Sequence, residues 1–236
     1  MSEILELPGS SLIARQFKEM LEKIVLPTIG RNSLSSIWAE LYQHGTHPLI
    51  YQVGGNWEVW GNKDNNGNSQ LLAHMILVAS GCAVVSKEMG IDARDVTLAG
   101  MVHDGHKRMD IEVGSDEGHT ASYKRLIDLF GAQVAQIAEY SGHTSMHNVV
   151  AELAMPGRDW GKLLFFLIDG IAVHDGFQPV SAKCDYLDSV AAEGKKYQYN
   201  SDGIKEWGHP FFTFQRYLSE TIQAMVAHKL GVFTAD

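Results

Sequence analysis

The stretch LAGMVHDGHKRMD, residues 98–110, decides the fold, because an apolar helical run ends there in an adjacent imidazole and carboxylate, His103 and Asp104. An unpaired carboxylate in an apolar environment costs several kcal/mol. A chain that buries one must therefore bind it to a cation or hydrogen-bond it. The stretch predicts a helix whose end carries a polar pair in contact with groups from elsewhere in the chain.

Apolar residues recur at helical spacing on both sides of this stretch, and no segment shows the convincing alternation of a strand. Glycine, asparagine and two tryptophans interrupt the pattern between residues 44 and 69, which we interpret as a long irregular insert before the first core helix. The periodicity predicts an all-α fold with helices in the segments 10–29, 33–45, 69–90, 92–107, 115–131, 132–142, 159–176 and 209–231.

The composition limits the classes of function. With 236 residues and 45% hydrophobic content, the chain can form one sizeable core, so we expect a single domain over residues 1–236. The formal net charge of −9 argues against a nucleic-acid partner, which would require a basic surface. The chain shows neither a long apolar run nor a signal-peptide pattern, so we expect no membrane partner and a cytoplasmic location. Cys82 and Cys184 are expected to be reduced thiols.

Histidines and aspartates occupy selected positions along five successive predicted helices. A single buried histidine or aspartate is commonly just a hydrogen-bonded group within a core. Several that converge on one point would instead form a metal site, because imidazole and carboxylate together suit Fe, Mn or Zn. The candidate ligands are His74, His103, Asp104, His119, His143 and Asp169.

In this order, H…HD…H…H…D, the candidates resemble the ligand pattern of the HD-domain metalloenzymes. The likeness covers residues 68–176, about half of the chain, and includes a lysine three residues after the HD aspartate, Lys107. The resemblance implies an HD-domain helical bundle over these residues. The N-terminal helices and the C-terminal extension would pack on that bundle, and the irregular insert would precede the first metal-ligand helix.

The resemblance also implies two metal ions, divalent or mixed-valent, with Fe or Mn as the expected metals. The first ion would be bound by His74, His103, Asp104 and Asp169. His119 and His143 would bind the second ion, with Asp104 bridging the two. Some dinuclear members of the family have a glutamate one turn before the first histidine, and this chain has Gln70 there.

The activity implied by the resemblance is metal-dependent phosphohydrolysis of a small phosphorylated metabolite, expected to be a nucleotide, by attack of a metal-bridging hydroxide on phosphorus. The candidate catalytic residues are Asp104, Lys107 and His147. Lys107 would add positive charge beside phosphate oxygens, and His147 would donate a proton to the leaving group or steady the metal ligands. The candidate substrate contacts are Lys107, Arg108, Gln70 and Trp57, the last of them in the irregular insert.

Two other functions stay open at this point. The same six-ligand pattern belongs to mixed-valent di-iron oxygenases that cleave a C–C or C–P bond of a polyol or hydroxyphosphonate, and the ligands do not separate these enzymes from hydrolases. The third hypothesis is a catalytically silent HD module that only binds a ligand. The aromatic C-terminal extension, residues 177–236, could form a homodimer surface or a wall of the pocket.

Overall fold

A computed structural model of the chain describes residues 70–105, 131–141, 145–173, 176–192 and 197–232, together with isolated positions outside these ranges. The all-α prediction is confirmed. The described helices are α1 (Gln70–Met89), α2 (Arg94–Val102), α3 (Ala132–Ala138), α4 (Met146–Ala154), α5 (Trp160–Ile171), α6 (Val180–Ala192), α7 (Tyr197–Trp207) and α8 (Phe211–Lys229), and a single 3-10 turn (His103–Gly105) follows α2.

Several helix ends lie where the sequence predicts them. Gly90 ends α1 in a left-handed conformation with φ of 69°, and its backbone N–H donates to the carbonyl oxygen of Lys87 at 3.1 Å. The Asp92 carboxylate accepts a hydrogen bond from the backbone N–H of Arg94 at the start of α2. Asp159 caps α5 by accepting from the backbone N–H groups of Gly161 and Lys162.

Where the sequence shows no strand, the structure contains a two-stranded antiparallel hairpin, with β1 at Ala172–Val173 and β2 at Gly176–Phe177. The sequence also predicts α5 as far as residue 176, but the helix ends at Ile171. Strands of two residues are too short to show an alternation of apolar and polar residues, so the sequence does not predict them. The apolar periodicity likewise predicts no helix at the positions of α4, α6 and α7.

Helix α5 is the centre of the described core. Its residues 163–168 are all apolar and at most 2% exposed, as expected for a helix that other elements surround on every side. It contacts α1, α2, α3, α4, α6 and α8. Buried apolar residues from all of these helices form one continuous cluster.

Helices α1 and α2 pack backbone to backbone, and this places their polar residues next to α5. A methyl group added at Gly100 of α2 would lie 2.8 Å from the Cα of Ala79 in α1. Only glycine permits such a close approach. The end of α2, with His103, thus lies close to His74 of α1, and both histidines contact Asp169 of α5.

The predicted helices at 10–29, 33–45 and 115–131 and the irregular insert lie largely or wholly outside the described residues. None of the described helices combines the length and the apolar character needed to cross a membrane.

Candidate metal centre

Three segments that are far apart in the sequence supply the residues of one polar cluster. His74 lies in the second turn of α1, His103 begins the 3-10 turn after α2, and Asp169 lies near the end of α5. His103 is 2% exposed and Asp169 is 7% exposed, whereas the side chain of His74 retains 17% exposure. The cluster is thus buried, and His74 forms its most accessible side.

The three side chains direct one atom each toward a common point. His74 Nε2 lies 3.0 Å from Asp169 Oδ1, and His103 Nε2 lies 3.3 Å from the same oxygen. The two Nε2 atoms are 3.3 Å apart. Among the described residues, this is the group of histidine and carboxylate ligand atoms that could hold a metal ion.

The dimensions of this triangle fit a metal ion. Two ligand atoms bonded to one ion at about 2.1 Å, and separated by angles of about 90° to 110°, lie about 3.0 to 3.4 Å from each other. All three observed separations fall in that range. Two imidazoles and one carboxylate are also a donor set that Fe, Mn and Zn accept.

The backbone of α2 sets the tautomer of His103. Its Nδ1 lies 2.9 Å from the carbonyl oxygen of Gly100, and because a carbonyl only accepts, Nδ1 must carry the proton. In the neutral imidazole, Nε2 then keeps a lone pair directed at His74 and Asp169. Metal-binding histidines are usually oriented by such a hydrogen bond from the other ring nitrogen. The edge-on ring of Phe165, 5.4 Å away between centroids, packs against the same imidazole.

The electrostatics of the cluster favour positive charge. Burial opposes protonation of His103, but the nearby carboxylates of Asp104 and Asp169 raise its pKa above the ordinary value. Burial likewise opposes ionisation of Asp169, yet His103, a hydrogen bond from His74 and the charge of Lys183 hold the pKa of that carboxyl well below its usual range. A field that stabilises a proton between these side chains also stabilises a metal cation.

Asp104 lies at the edge of the triangle. Its Oδ1 is 3.6 Å from His103 Nε2 and its Oδ2 is 4.0 Å from His74 Nε2. At 4% exposure it is buried like His103 and Asp169. Of the four residues that the resemblance assigns to the first metal, the structure thus brings His74, His103 and Asp169 together and places Asp104 beside them.

His147 is not a member of the convergent group. It lies on α4 with its side chain 62% exposed, where Nε2 is 2.7 Å from a carboxylate oxygen of Glu206. Its ring also packs on Trp207, with centroids 4.6 Å apart. Through these contacts, His147 links α4 to α7.

The remaining predicted site residues lie outside the described residues. This holds for the two histidines expected to bind the second metal alone, His119 and His143, and for the expected substrate contacts Lys107, Arg108 and Trp57. Gln70 is the first residue of α1, and the structure describes its backbone but not its side chain.

Two contributors to the cluster carried no sequence signal of their own. One is the Gly100 carbonyl that orients His103, and the other is Lys183 of α6, whose Nζ donates to the carbonyl oxygen of Asp169 at 3.1 Å. Every residue has a backbone carbonyl, so the identity of residue 100 gives no sign of the first. Nothing in the local pattern around Lys183 suggests the second.

Comparison of the chain with protein-family models, with curated proteins and with solved structures gives no match. The interpretation of the cluster consequently depends on its own geometry and chemistry.

Proposed function

We propose that this protein is a metal-dependent phosphohydrolase of the HD type that acts on a small phosphorylated metabolite, with a nucleotide as the first class to test. One observation carries the proposal: Nε2 of His74, Nε2 of His103 and Oδ1 of Asp169 form a buried triangle with edges of 3.0 to 3.3 Å. The order of these residues along the chain, with Asp104 directly after His103, supports the HD assignment.

His74, His103 and Asp169 hold the ion, and Asp104 contributes a second carboxylate at the edge of the site. A bound divalent ion supplies Lewis acidity, which acidifies water and neutralises negative charge on a phosphate. Because the surrounding residues are buried, these interactions take place in a medium of low polarity, where they are stronger than in water.

The finer parts of the proposal concern the second metal and the substrate. His119 and His143 bind a second ion, as in the six-ligand pattern, and Lys107 binds phosphate oxygens. The resemblance to the six-ligand pattern supports a dinuclear centre, with Fe or Mn as the proposed metals. The mononuclear site does not depend on either assumption.

The first experiment compares metal content and phosphate release in the wild-type chain and in two ligand variants, His103→Ala and Asp169→Asn. The proteins are purified without oxygen, loaded with Fe(II) or Mn(II), and tested on a panel of nucleotides and sugar phosphates. We expect both variants to bind metal more than about 100-fold more weakly and to lose phosphate release, because each removes one ligand of the triangle.

His228→Ala is the matched control, since His228 is an exposed histidine at the end of α8. It should retain metal and activity. Full metal content in both ligand variants would contradict the metal site. Metal binding without phosphate release, combined with a stable Fe(II)/Fe(III) signal and consumption of O₂ in the presence of a hydroxylated substrate, would replace the hydrolase by an oxygenase.

A further inference from the structure

Lys183 is a lysine of the C-terminal extension that reaches the metal centre. It lies on α6, is partly buried, and donates from Nζ to the carbonyl oxygen of Asp169 at 3.1 Å. This carbonyl belongs to the same residue that contributes Oδ1 to the ligand triangle. The ammonium is thus separated from the ligand atom by the atoms of a single residue.

The hairpin after α5 brings Lys183 to this position. Ala172 of β1 pairs with Phe177 of β2, so the chain reverses direction directly after the helix that carries Asp169. The backbone N–H of Gln178 then donates to the carbonyl oxygen of Ile171 at 2.9 Å. These bonds return the chain to the end of α5, where α6 packs against it.

The hairpin is held against the helix that carries His74. Phe177 is 3% exposed, and its ring lies over Gly81 of α1, where an added methyl group would be 3.3 Å from the ring. The same methyl group would lie 2.8 Å from a side-chain carbon of Ile168, the residue before Asp169. The position of Lys183 is therefore tied to α1 and α5 at once.

An ordered lysine needs a compensating interaction. Holding its side chain in one conformation costs conformational entropy, and partial burial removes water from the ammonium. Cations near a helix end favour the last carbonyl groups in general. Here the ammonium binds one carbonyl, that of the candidate ligand, and so restricts the peptide from which the carboxylate of Asp169 projects.

We propose that Lys183 is a positioning residue of the metal centre: by binding the carbonyl oxygen of Asp169, it holds the Asp169 carboxylate against His74 and His103. The inference rests on the proposed metal site. It extends that site to α6, beyond the segment that resembles the HD pattern.

The test is a titration of the metal-free protein with Mn²⁺ and with Co²⁺, without any substrate. Lys183→Met removes the charge and the donor while keeping the length of the side chain, and we expect it to weaken metal binding about 10-fold, as outer contacts to metal ligands commonly do. The visible spectrum of bound Co²⁺ should change as well, since a displaced carboxylate alters the coordination. Lys183→Arg keeps charge and donors and should restore most of the affinity.

The direction of the effect separates positioning from simple charge. Removal of a positive charge near a cation should by itself tighten metal binding. Unchanged or tighter binding in Lys183→Met would therefore overturn the inference, and weaker binding with rescue by arginine would support it. Lys205→Met is the control, because Lys205 on α7 is 74% exposed and pairs with Asp202.

Unfolding of the metal-free variants in the presence of a chelator shows whether the substitution acts on the fold instead. If Lys183→Met unfolds, the comparison of Lys183→Arg with Lys183→Gln asks the same question with a smaller change. A wild-type chain that binds neither Mn²⁺ nor Co²⁺ would overturn the proposed function and this inference together, whereas equal affinities in wild type and Lys183→Met would overturn the inference alone.

Discussion

Asp169 is the residue on which the candidate site depends most. It interrupts a run of apolar residues in the central helix, where an unpaired carboxylate would be strongly unfavourable. Both histidines contact its Oδ1, and Lys183 binds its carbonyl oxygen. The stability of the ionised carboxylate thus comes from partners in three other segments, and a metal ion would add to the same balance.

At the residue scale, burial also changes the ionisation of the two cysteines. Cys184 is 4% exposed, and burial, assisted by the charge of Asp188, raises the pKa of its thiol from 9.0 to about 12. Burial also raises the pKa of the Cys82 thiol, with the charge of Asp169 acting in the same direction. Both groups are therefore neutral thiols that pack as small apolar side chains.

We predict that neither cysteine reacts readily with an alkylating reagent at pH 8 in the folded protein, because the thiolate is the reactive form. A shift of the pKa from 9.0 to about 12 reduces the thiolate of Cys184 about 1000-fold. Mass spectrometry should find two modified residues after denaturation. The neutral Cys184 thiol contributes to the free energy of unfolding. Because the folded pKa is the higher one, this contribution is fully present below pH 9 and is lost as the pH rises toward 12. Rapid labelling of the native protein at pH 8 would contradict the burial.

The spacing between helices α1 and α2 is set by a single glycine. The backbone of Ala79 occupies the space where a side chain at position 100 would begin, with separations of 2.8 Å and 2.9 Å to its Cα and N atoms. Backbone atoms cannot rotate away as a flexible side chain can. Any residue larger than glycine must therefore move α2 away from α1, and with it His103 away from His74.

Gly100→Ala should lower the free energy of unfolding by about 2 kcal/mol, as overpacking of a core commonly does. It should also weaken metal binding, because a displacement of α2 moves His103 and the backbone carbonyl of residue 100 that orients it. Both effects can be measured by chemical denaturation and by metal titration of the same preparations.

Gly170→Ala is the matched control within the element that carries Asp169. A methyl group there would meet no atom within 4 Å, and alanine is the better helix former by about 1 kcal/mol. This variant should be equally or more stable than the wild type. A loss of stability in Gly170→Ala similar to that in Gly100→Ala would contradict the role assigned to the close contact between helices.

At the scale of the whole molecule, the site is formed by segments that are distant in the sequence but adjacent in the folded structure. His74 and Asp169 are 95 residues apart and lie in contact through Nε2 and Oδ1. An unfolded chain cannot hold these ligands around one point. Metal should therefore bind the folded state and leave the unfolded chain almost unaffected.

We predict that Mn²⁺ at 100 times its dissociation constant stabilises the protein by about 2.7 kcal/mol. For a chain of this length, that corresponds to a rise in melting temperature of about 5 to 10 °C. A chelator should reverse the rise, and Asp169→Asn should abolish it. Equal stabilisation of the wild type and Asp169→Asn would show that the metal acts elsewhere on the protein.

The helical class and the candidate ligands could be recognised from the chain alone, because both depend on local information. Apolar periodicity indicated α1, α2, α3, α5 and α8, and the isolated carboxylate of Asp169 in an apolar run indicated a buried polar partner. The same reasoning could not assign a partner to His147, which pairs with Glu206 across two helices.

The distances within the cluster, the hairpin after α5 and the approach of Lys183 to Asp169 were decided by the tertiary structure. Each depends on how helices pack: the contact at Gly100 sets the separation of His74 and His103, and a reversal through two-residue strands sets the position of α6. Local periodicity records which face of an element is apolar. It does not record which elements meet at that face, because the free energy of packing is shared among residues distant in the sequence.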